Sequence, residues 1–276
     1  MPLRGNGWSP TKVTRYITGF ATATGTARVD TDHGEGYLKG LGNPEGPHAL
    51  ACELVGSLLA DWLGLSTLDF SLVGVEADDE IPFIKGGKAT PGPAFISRAE
   101  PGAFPWGGTS KELRSAINKH EISGLVVMDT WVLNCDRHAP DGRRVNRDNV
   151  LLIQCEGRNA GVKLIAMDFT HAFTCGREIN RRLSFIEHVR DARVYGLFPE
   201  FGEFLDREQV RQLADRLGQF SRPIAEGFIG IVPRDWDVDQ DGRAAWATMI
   251  TERAHFTAEH IEQMLWPQLE LEGGAE

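Results

Sequence analysis

The sequence predicts an α+β fold in two lobes, a small antiparallel sheet with one helix followed by a mainly helical part. Three observations predict it. Strand-forming residues come in short runs before residue 98, one long apolar helix pattern interrupts them at 47–64, and helical spacing dominates beyond residue 180. Strands first and helices later is the segregated order of an α+β chain.

Residues 12–42 read as three strands. "KVTRYITGF" is rich in β-branched and aromatic residues, "GTARVDTD" follows Gly25, and "GEGYLKGL" follows the turn "DHG". In the next stretch Pro47 suits a first helical position, where its missing N–H costs nothing. Leu50, Leu54, Leu58 and Trp62 then recur at helical spacing, and Gly64 ends the helix. Glu53 falls with Gly56, Ser57 and Ala60 on a narrow stripe of small and polar residues. The rest of that helix is apolar, so it should be covered on nearly every side.

"LDFSLVGV" and "PAFISR" read as further strands, separated by the loop "KGGKATPGP". "AEPGAFPWGGTS" (99–110) is the most loop-like stretch of the chain, and the boundary between lobes is expected there, dividing 1–98 from 99–276. One long helix or two should fill 111–134. "NVLLI" and "GVKLIAMDF" read as a hairpin of two buried strands. Helices are expected at 206–220 and 243–265, and the acidic tail "LELEGGAE" should fray.

Charge excludes some functions. A formal net charge of −10 on 276 residues argues against a broad nucleic-acid interface, which needs a cationic footprint, and against an acidic membrane surface. The opening "MPLRGNGWSP" has no apolar h-region, so a cytoplasmic protein is the expectation. Cys52, Cys135, Cys155 and Cys175 include no CxxC pair and are too sparse for a disulfide framework, so reduced thiols are expected.

Two metal patterns are decoys. Cys135-x-x-His138 and His171-x-x-x-Cys175 mimic halves of a zinc site, but each adjoins an apolar segment that reads as core. "DVDQDG" (237–242) matches half of an EF-hand loop, yet position twelve is Thr248, where a bidentate Glu is needed. A polar turn capped by Asp241 is the simpler reading. Trp106, Trp236, Trp246 and Trp266 read as packing residues.

Four features in order carry chemistry: Lys39 late in the third strand, Glu53 on the next helix, an Asp–Asn loop from Asp136 to Asn149, and Asp168 closing the run "VKLIAM". Phosphoryl transfer from ATP needs such groups. A cation holds the α/β-phosphates, an acid holds the cation, a carboxylate orients the acceptor hydroxyl, and an Asp and an Asn bind Mg²⁺. An uncompensated carboxylate after an apolar strand would be costly, so Asp168 points most directly to a ligand.

The segments "GEGYLKGLGNPEG", "LACELVGSLLADWLGL", "DTWVLNCDRH", "NVLLI" and "MDFTHAF" resemble the protein-kinase-like superfamily and, within it, the HipA-like kinases. The resemblance implies a bilobal kinase-like fold and ATP–Mg²⁺-dependent transfer to a Ser or Thr hydroxyl of a protein. It also implies an antitoxin-like protein partner. Lys39 and Glu53 would clamp phosphate, Asp136 would orient the acceptor, Asn149 and Asp168 would hold the metal, and the Arg98–Ala99 backbone would meet adenine. The loop "GFATATGTARV" lacks Gly-x-Gly-x-x-Gly, but amides from Ala21 to Gly25, with Thr22 and Thr24, are candidates for cradling phosphate. Thr22, Thr24 and Thr26 are also candidate autophosphorylation sites.

One departure stands out. The family Asn follows the Asp by about five residues, where this chain has Asp141, and "PDGRRVNR" reads as an insertion. Asn149 directly precedes the strand, with Asn146 and Asp141 as the other candidates for second metal ligand. The insertion reads as an exposed cationic excursion able to touch an acidic partner. It also keeps two competing readings open: a nucleotide-binding pseudokinase, and a small-molecule or lipid kinase on a related fold.

Overall fold

The computed structural model describes residues 8–157 and 160–267. The first seven residues and the acidic tail 269–276, expected to fray, lie outside the described residues.

The anticipated meander forms as β1 (Val13–Gly19), β2 (Ala27–Thr31) and β3 (Gly34–Lys39), followed by α1 (Pro47–Leu63), β4 (Phe70–Val75) and β5 (Gly92–Arg98). The strands build one antiparallel sheet in the order β1-β2-β3-β5-β4. A bridge from Lys12 to Gly74 closes β1 toward β4, so the sheet curls. Val29, Leu38, Val73 and Ile96 pack inside the curl, under Phe83 and Trp8. Phe70 and Phe95 instead join the larger core with α1. Pro47 opens that helix and Gly64 closes it in the left-handed region at φ 89. Because α1 lies between the sheet and the helical part, nearly all of it is buried, including Glu53 and Ser57.

The stretch 99–110 is less irregular than its composition suggests. Ala103–Pro105 forms β6, which pairs with β7 (Val150–Cys155), and β7 pairs with β8 (Gly161–Ala166) in a three-stranded sheet. β6 is an edge strand, where a proline is tolerated, and Pro and Gly masked it in the sequence. The predicted helical stretch 111–134 resolves into α2 (Ser110–Arg114) and α3 (Glu121–Val132). The remaining helices are α4 (Ile186–Val189), α5 (Arg207–Gly218), α6 (Arg222–Ile231) and α7 (Gln240–Leu265). Asp239, not the anticipated Asp241, caps α7 by accepting the Gly242 N–H at 2.6 Å. Trp106, Trp236 and Trp246 are fully buried, whereas Trp266 is half-buried beneath the Arg207 guanidinium. No helix among the described residues is long and apolar enough to cross a membrane.

Arg253 of α7 anchors the end of α3. Its buried guanidinium donates to the carbonyls of Trp131 (2.8 Å), Thr130, His188 (2.8 Å), Val189 (3.2 Å) and Asp191 (3.2 Å). Five carbonyls with one donor group lose their partners together if it is removed. Arg253→Leu is therefore expected to destabilise the protein by at least about 3 kcal/mol, read as a lowered urea midpoint. An unchanged midpoint would refute this anchoring role.

Candidate active site

The last residue of β3 and the middle of α1 meet in the interior. Lys39 Nζ donates to Glu53 Oε2 at 2.9 Å and to Asp168 Oδ1 at 3.2 Å. Glu53 Oε2 also accepts the Phe169 N–H at 3.0 Å. The small stripe of α1 makes this approach possible: a Cβ at Gly56 would lie 2.3 Å from Phe169 Cβ, so only glycine lets the buried Phe169 ring dock there. Asp168 follows β8 in the left-handed region at φ 59, a conformation costing about 1–3 kcal/mol that neighbouring bonds must hold. Thr170 contributes one, its hydroxyl donating to Asp168 Oδ1 at 2.8 Å.

The three charges perturb one another. Burial pushes the Lys39 ammonium down, but the Asp168 and Glu53 carboxylates outweigh it and hold Lys39 above the ordinary lysine range. Burial raises the Asp168 carboxyl, yet Lys39 and the Thr170 hydroxyl together leave it below the usual carboxylate range. Burial raises Glu53 further than Lys39 offsets.

The second half of the site is the loop after α3. That helix ends at Leu133 in the left-handed region, φ 53. Asn134 then donates to Asp129 Oδ1 at 2.9 Å and accepts the Asp136 N–H at 3.3 Å. Arg137 is fully buried. Its guanidinium binds Asp129 Oδ2 at 2.7 Å, the Asn149 carbonyl, and the Met167 carbonyl at 2.9 Å. One side chain thus ties together the backbone at Asn149 and the backbone just before Asp168. Asp136 Oδ2 accepts from Asn149 Nδ2 at 2.8 Å, and Asn146 Nδ2 lies 3.0 Å from Asn149 Oδ1 and 3.5 Å from Asp136 Oδ2. Asp141 instead lies at an exposed turn, accepting the Arg143 N–H.

His171 bridges the two halves. Its Nε2 is 3.0 Å from Glu45 Oε2, and its Nδ1 is 3.2 Å from Thr170 Oγ1 and 3.7 Å from Asp136 Oδ2. The structure therefore brings Lys39, Glu53, Asp136, Asn149 and Asp168 into one connected network. A cavity of about 270 Å³ opens beside it, lined by Lys39, Glu53 and Asp168 and by apolar side chains including Phe20, Phe70, Phe95, Phe104 and Leu151. Apolar walls with a few charged groups at one end suit a small-molecule ligand.

The other predicted residues divide. Thr22 and Thr26 line the cavity, whereas Thr24 is buried and Gly25, at φ 63, turns the loop against Phe83. Arg98 and Ala99 do not line the cavity themselves: their amides bond to the Asp69 and Glu35 carbonyls, while Ser97 just before them and Ala103–Pro105 just after them are in its wall. Arg137, Asp129, Asn134 and His171 were missed as site residues. Asp129 carried a signal, as the lone charge inside the apolar run "GLVVMDTWVL".

The hard-oxygen chemistry of Asp168 and Asn149 fits Mg²⁺. Asp168 uses Oδ1 for both Lys39 and Thr170, leaving Oδ2 outside those two bonds. Among the described residues no group of three or more His, Cys, Asp or Glu is arranged to hold a metal ion by itself. A divalent ion here would complete its shell with phosphate and water oxygens, as Mg²⁺ does.

A strand-borne lysine held by a helix acid, facing an Asp–Asn loop and a strand-terminal Asp, is the arrangement of a protein-kinase-like fold. The model of the HipA-like kinase family matches residues 29–268. The chain belongs to the HipA-like kinase family and is a kinase. The solved structure of the proinflammatory kinase CtkA of Helicobacter pylori is similar in fold, with a TM-score of 0.54 and 15% identity over 92% of this chain and 99% of that one. The Golgi casein kinase matches more weakly, with a TM-score of 0.47 and 9% identity over 97% of this chain and 74% of that one. No curated protein sequence matches.

The cysteines correct a sequence expectation. Cys135, beside Asp136, is paired with Cys175 on the segment after Asp168, with a Cα–Cα distance of 5.7 Å, within the range of bridged cysteines. Cys52 and Cys155 are free. Alkylation of the protein denatured without reductant is expected to modify two cysteines, and four after reduction, as counted by intact mass. Four modified residues without reductant would exclude the pair.

Proposed function

We propose that this chain transfers the γ-phosphoryl group of ATP–Mg²⁺ to a Ser or Thr hydroxyl of a protein. The observation that carries the reading is the Lys39–Glu53–Asp168 cluster beside the cavity, joined through Arg137 and His171 to Asp136 and Asn149. In this reading two lobes, 1–98 and 99–276, enclose the nucleotide, and adenine lies against the backbone of Ala103–Pro105. Lys39 holds the α/β-phosphates and Glu53 holds Lys39. Amides of the Ala21–Gly25 loop, with the Thr22 hydroxyl, face the phosphates.

Asp168 and Asn149 would hold Mg²⁺, which when bound offsets charge on the β/γ-oxygens. Asp136 orients the acceptor hydroxyl. As the acceptor oxygen bonds to the γ-phosphorus, the bond to the ADP oxygen breaks and the hydroxyl proton passes to Asp136. The His171–Glu45 pair fixes the side of the loop facing that carboxylate.

A second reading has a specific observation behind it. Arg144 Nη1 lies 3.5 Å from Asp136 Oδ1, so an inert nucleotide-binding module would keep its Asp136 partly neutralised. Incubation of the chain with γ-labelled ATP, Mg²⁺ and a protein lysate separates the two. Label is expected in protein. Asp168→Ala is expected to abolish transfer, and Asp136→Asn to lower kcat by roughly two to three orders of magnitude while sparing ATP binding. A thermal shift with ATP–Mg²⁺ but no label in any fraction would select the inert module. Label only in small molecules or lipids would select the other substrate classes.

A further inference from the structure

The stretch between Asp136 and Asn149 is folded. His138 and Val145 form an antiparallel bridge, Ala139 donates to the Arg144 carbonyl at 2.9 Å, and Gly142 turns the chain at φ 67 by donating to the Ala139 carbonyl at 2.9 Å. The Asn146 N–H returns to the Arg137 carbonyl at 2.8 Å. The insertion is therefore a short hairpin whose base rests on the catalytic loop.

Its three arginines are not equivalent. Arg147 is committed to Glu200 at 2.7 Å and lies over the Trp106 and Phe198 rings. Arg143 extends into solvent, its side chain 89% exposed, with only a loose approach to Asp141 at 3.7 Å. Arg144, half exposed, reaches back to Asp136 Oδ1 at 3.5 Å. On the facing side the Cys135–Cys175 link holds the segment after Asp168 to this loop. Arg177 there is exposed and outside any ion pair among the described residues. Arg144 thus stands beside the carboxylate that would meet the acceptor, and Arg143, next to it in sequence, extends into solvent.

We infer that the hairpin selects an acidic acceptor, a Ser or Thr flanked by Asp or Glu, through Arg143 and Arg144. The inference rests on Asp136 facing the acceptor hydroxyl. Arg144 acts twice in it. Before the acceptor arrives, its guanidinium offsets the Asp136 charge. A carboxylate of the acceptor draws it away, which docks the substrate and releases Asp136 in one movement. Arg143, outside that exchange, adds attraction for a second acidic residue and speeds encounter, as exposed charges beside a site do. Neutral or basic acceptors leave Arg144 on Asp136.

The test uses the full chain, γ-labelled ATP–Mg²⁺ and three pools of Ser/Thr peptides of equal length, with acidic, neutral or basic flanks. The acidic pool is expected to show kcat/KM about tenfold or more above the basic pool, one charge contact's worth of discrimination. Arg143→Ala/Arg144→Ala is expected to remove the preference by raising KM for the acidic pool and raising kcat for the neutral and basic pools, with the thermal response to ATP–Mg²⁺ retained. Should the double variant misfold, Arg143→Glu alone, at a solvent-facing position, is expected to lower kcat/KM on the acidic pool and raise it on the basic pool. Transfer to all three pools with equal or reversed preference would overturn the inference and leave the kinase reading standing. Transfer to no pool and to no protein in a lysate would overturn both.

Discussion

Three charges buried in one place govern the rest of this molecule. Lys39, Glu53 and Asp168 come from a strand, a helix and the end of a distant strand, and each loses water on folding. Desolvation of such a group costs several kcal/mol unless geometry and further hydrogen bonds offset it. The surrounding sequence supplies those bonds. The Phe169 amide and the Thr170 hydroxyl complete the carboxylates, and Gly56 removes the one Cβ that would hold α1 and Phe169 apart. The proposed divalent ion would meet Asp168 at Oδ2, the oxygen outside the Lys39 and Thr170 bonds.

The second constraint is positional. Asp136 and Asn149 are useful only if their loop keeps a fixed distance from Asp168. Arg137 sets that distance from inside, with its charge matched by Asp129 and its remaining donors spent on carbonyls flanking Asn149 and Asp168. The pair is fully buried, a setting in which removing one partner strands the other. Asp129 in turn demands Gly196, where a Cβ would lie 2.2 Å from Asp129 Oδ2. Because Arg253 binds the carbonyls of Thr130 and Trp131, the turn that launches the loop is held from the α7 side as well. Stability and chemistry here share the same residues.

Much of this was legible in the sequence, for identifiable reasons. Strands and helices with clear punctuation, such as Pro47 and Gly64 around α1, read correctly because the local preference agrees with the final packing. The charges of the buried cluster stood out because they interrupt apolar runs: Glu53 within α1 and Asp168 after β8. What escaped was set by contacts distant in sequence. β6 exists only because β7 offers it an edge, so its own residues look like a loop. Arg137 looked like half of a common Asp-Arg pair, and nothing local says that it turns inward. The chain meets the cavity at Ser97 as it leaves β5 and again at Ala103–Pro105, and nothing local in the sequence signals that second approach. Cys135 and Cys175 lie forty residues apart, and sparse cysteines give no spacing signal.

The insertion between Asp136 and Asn149 shows how such a loop tolerates extra length. Closing a longer loop costs little in entropy, since the penalty grows only with the logarithm of its length. The larger risk is geometric, because Asn149 must return beside Asp136. The hairpin removes that risk by bridging His138 to Val145 and returning Asn146 to the Arg137 carbonyl. The extra residues are thereby excluded from the register of β7. The hairpin tip lies in solvent at Asp141–Arg143, while the base of the loop is held by the buried Arg137. Its contacts leave the Lys39–Glu53–Asp168 cluster untouched, so the tip can change without disturbing those three charges.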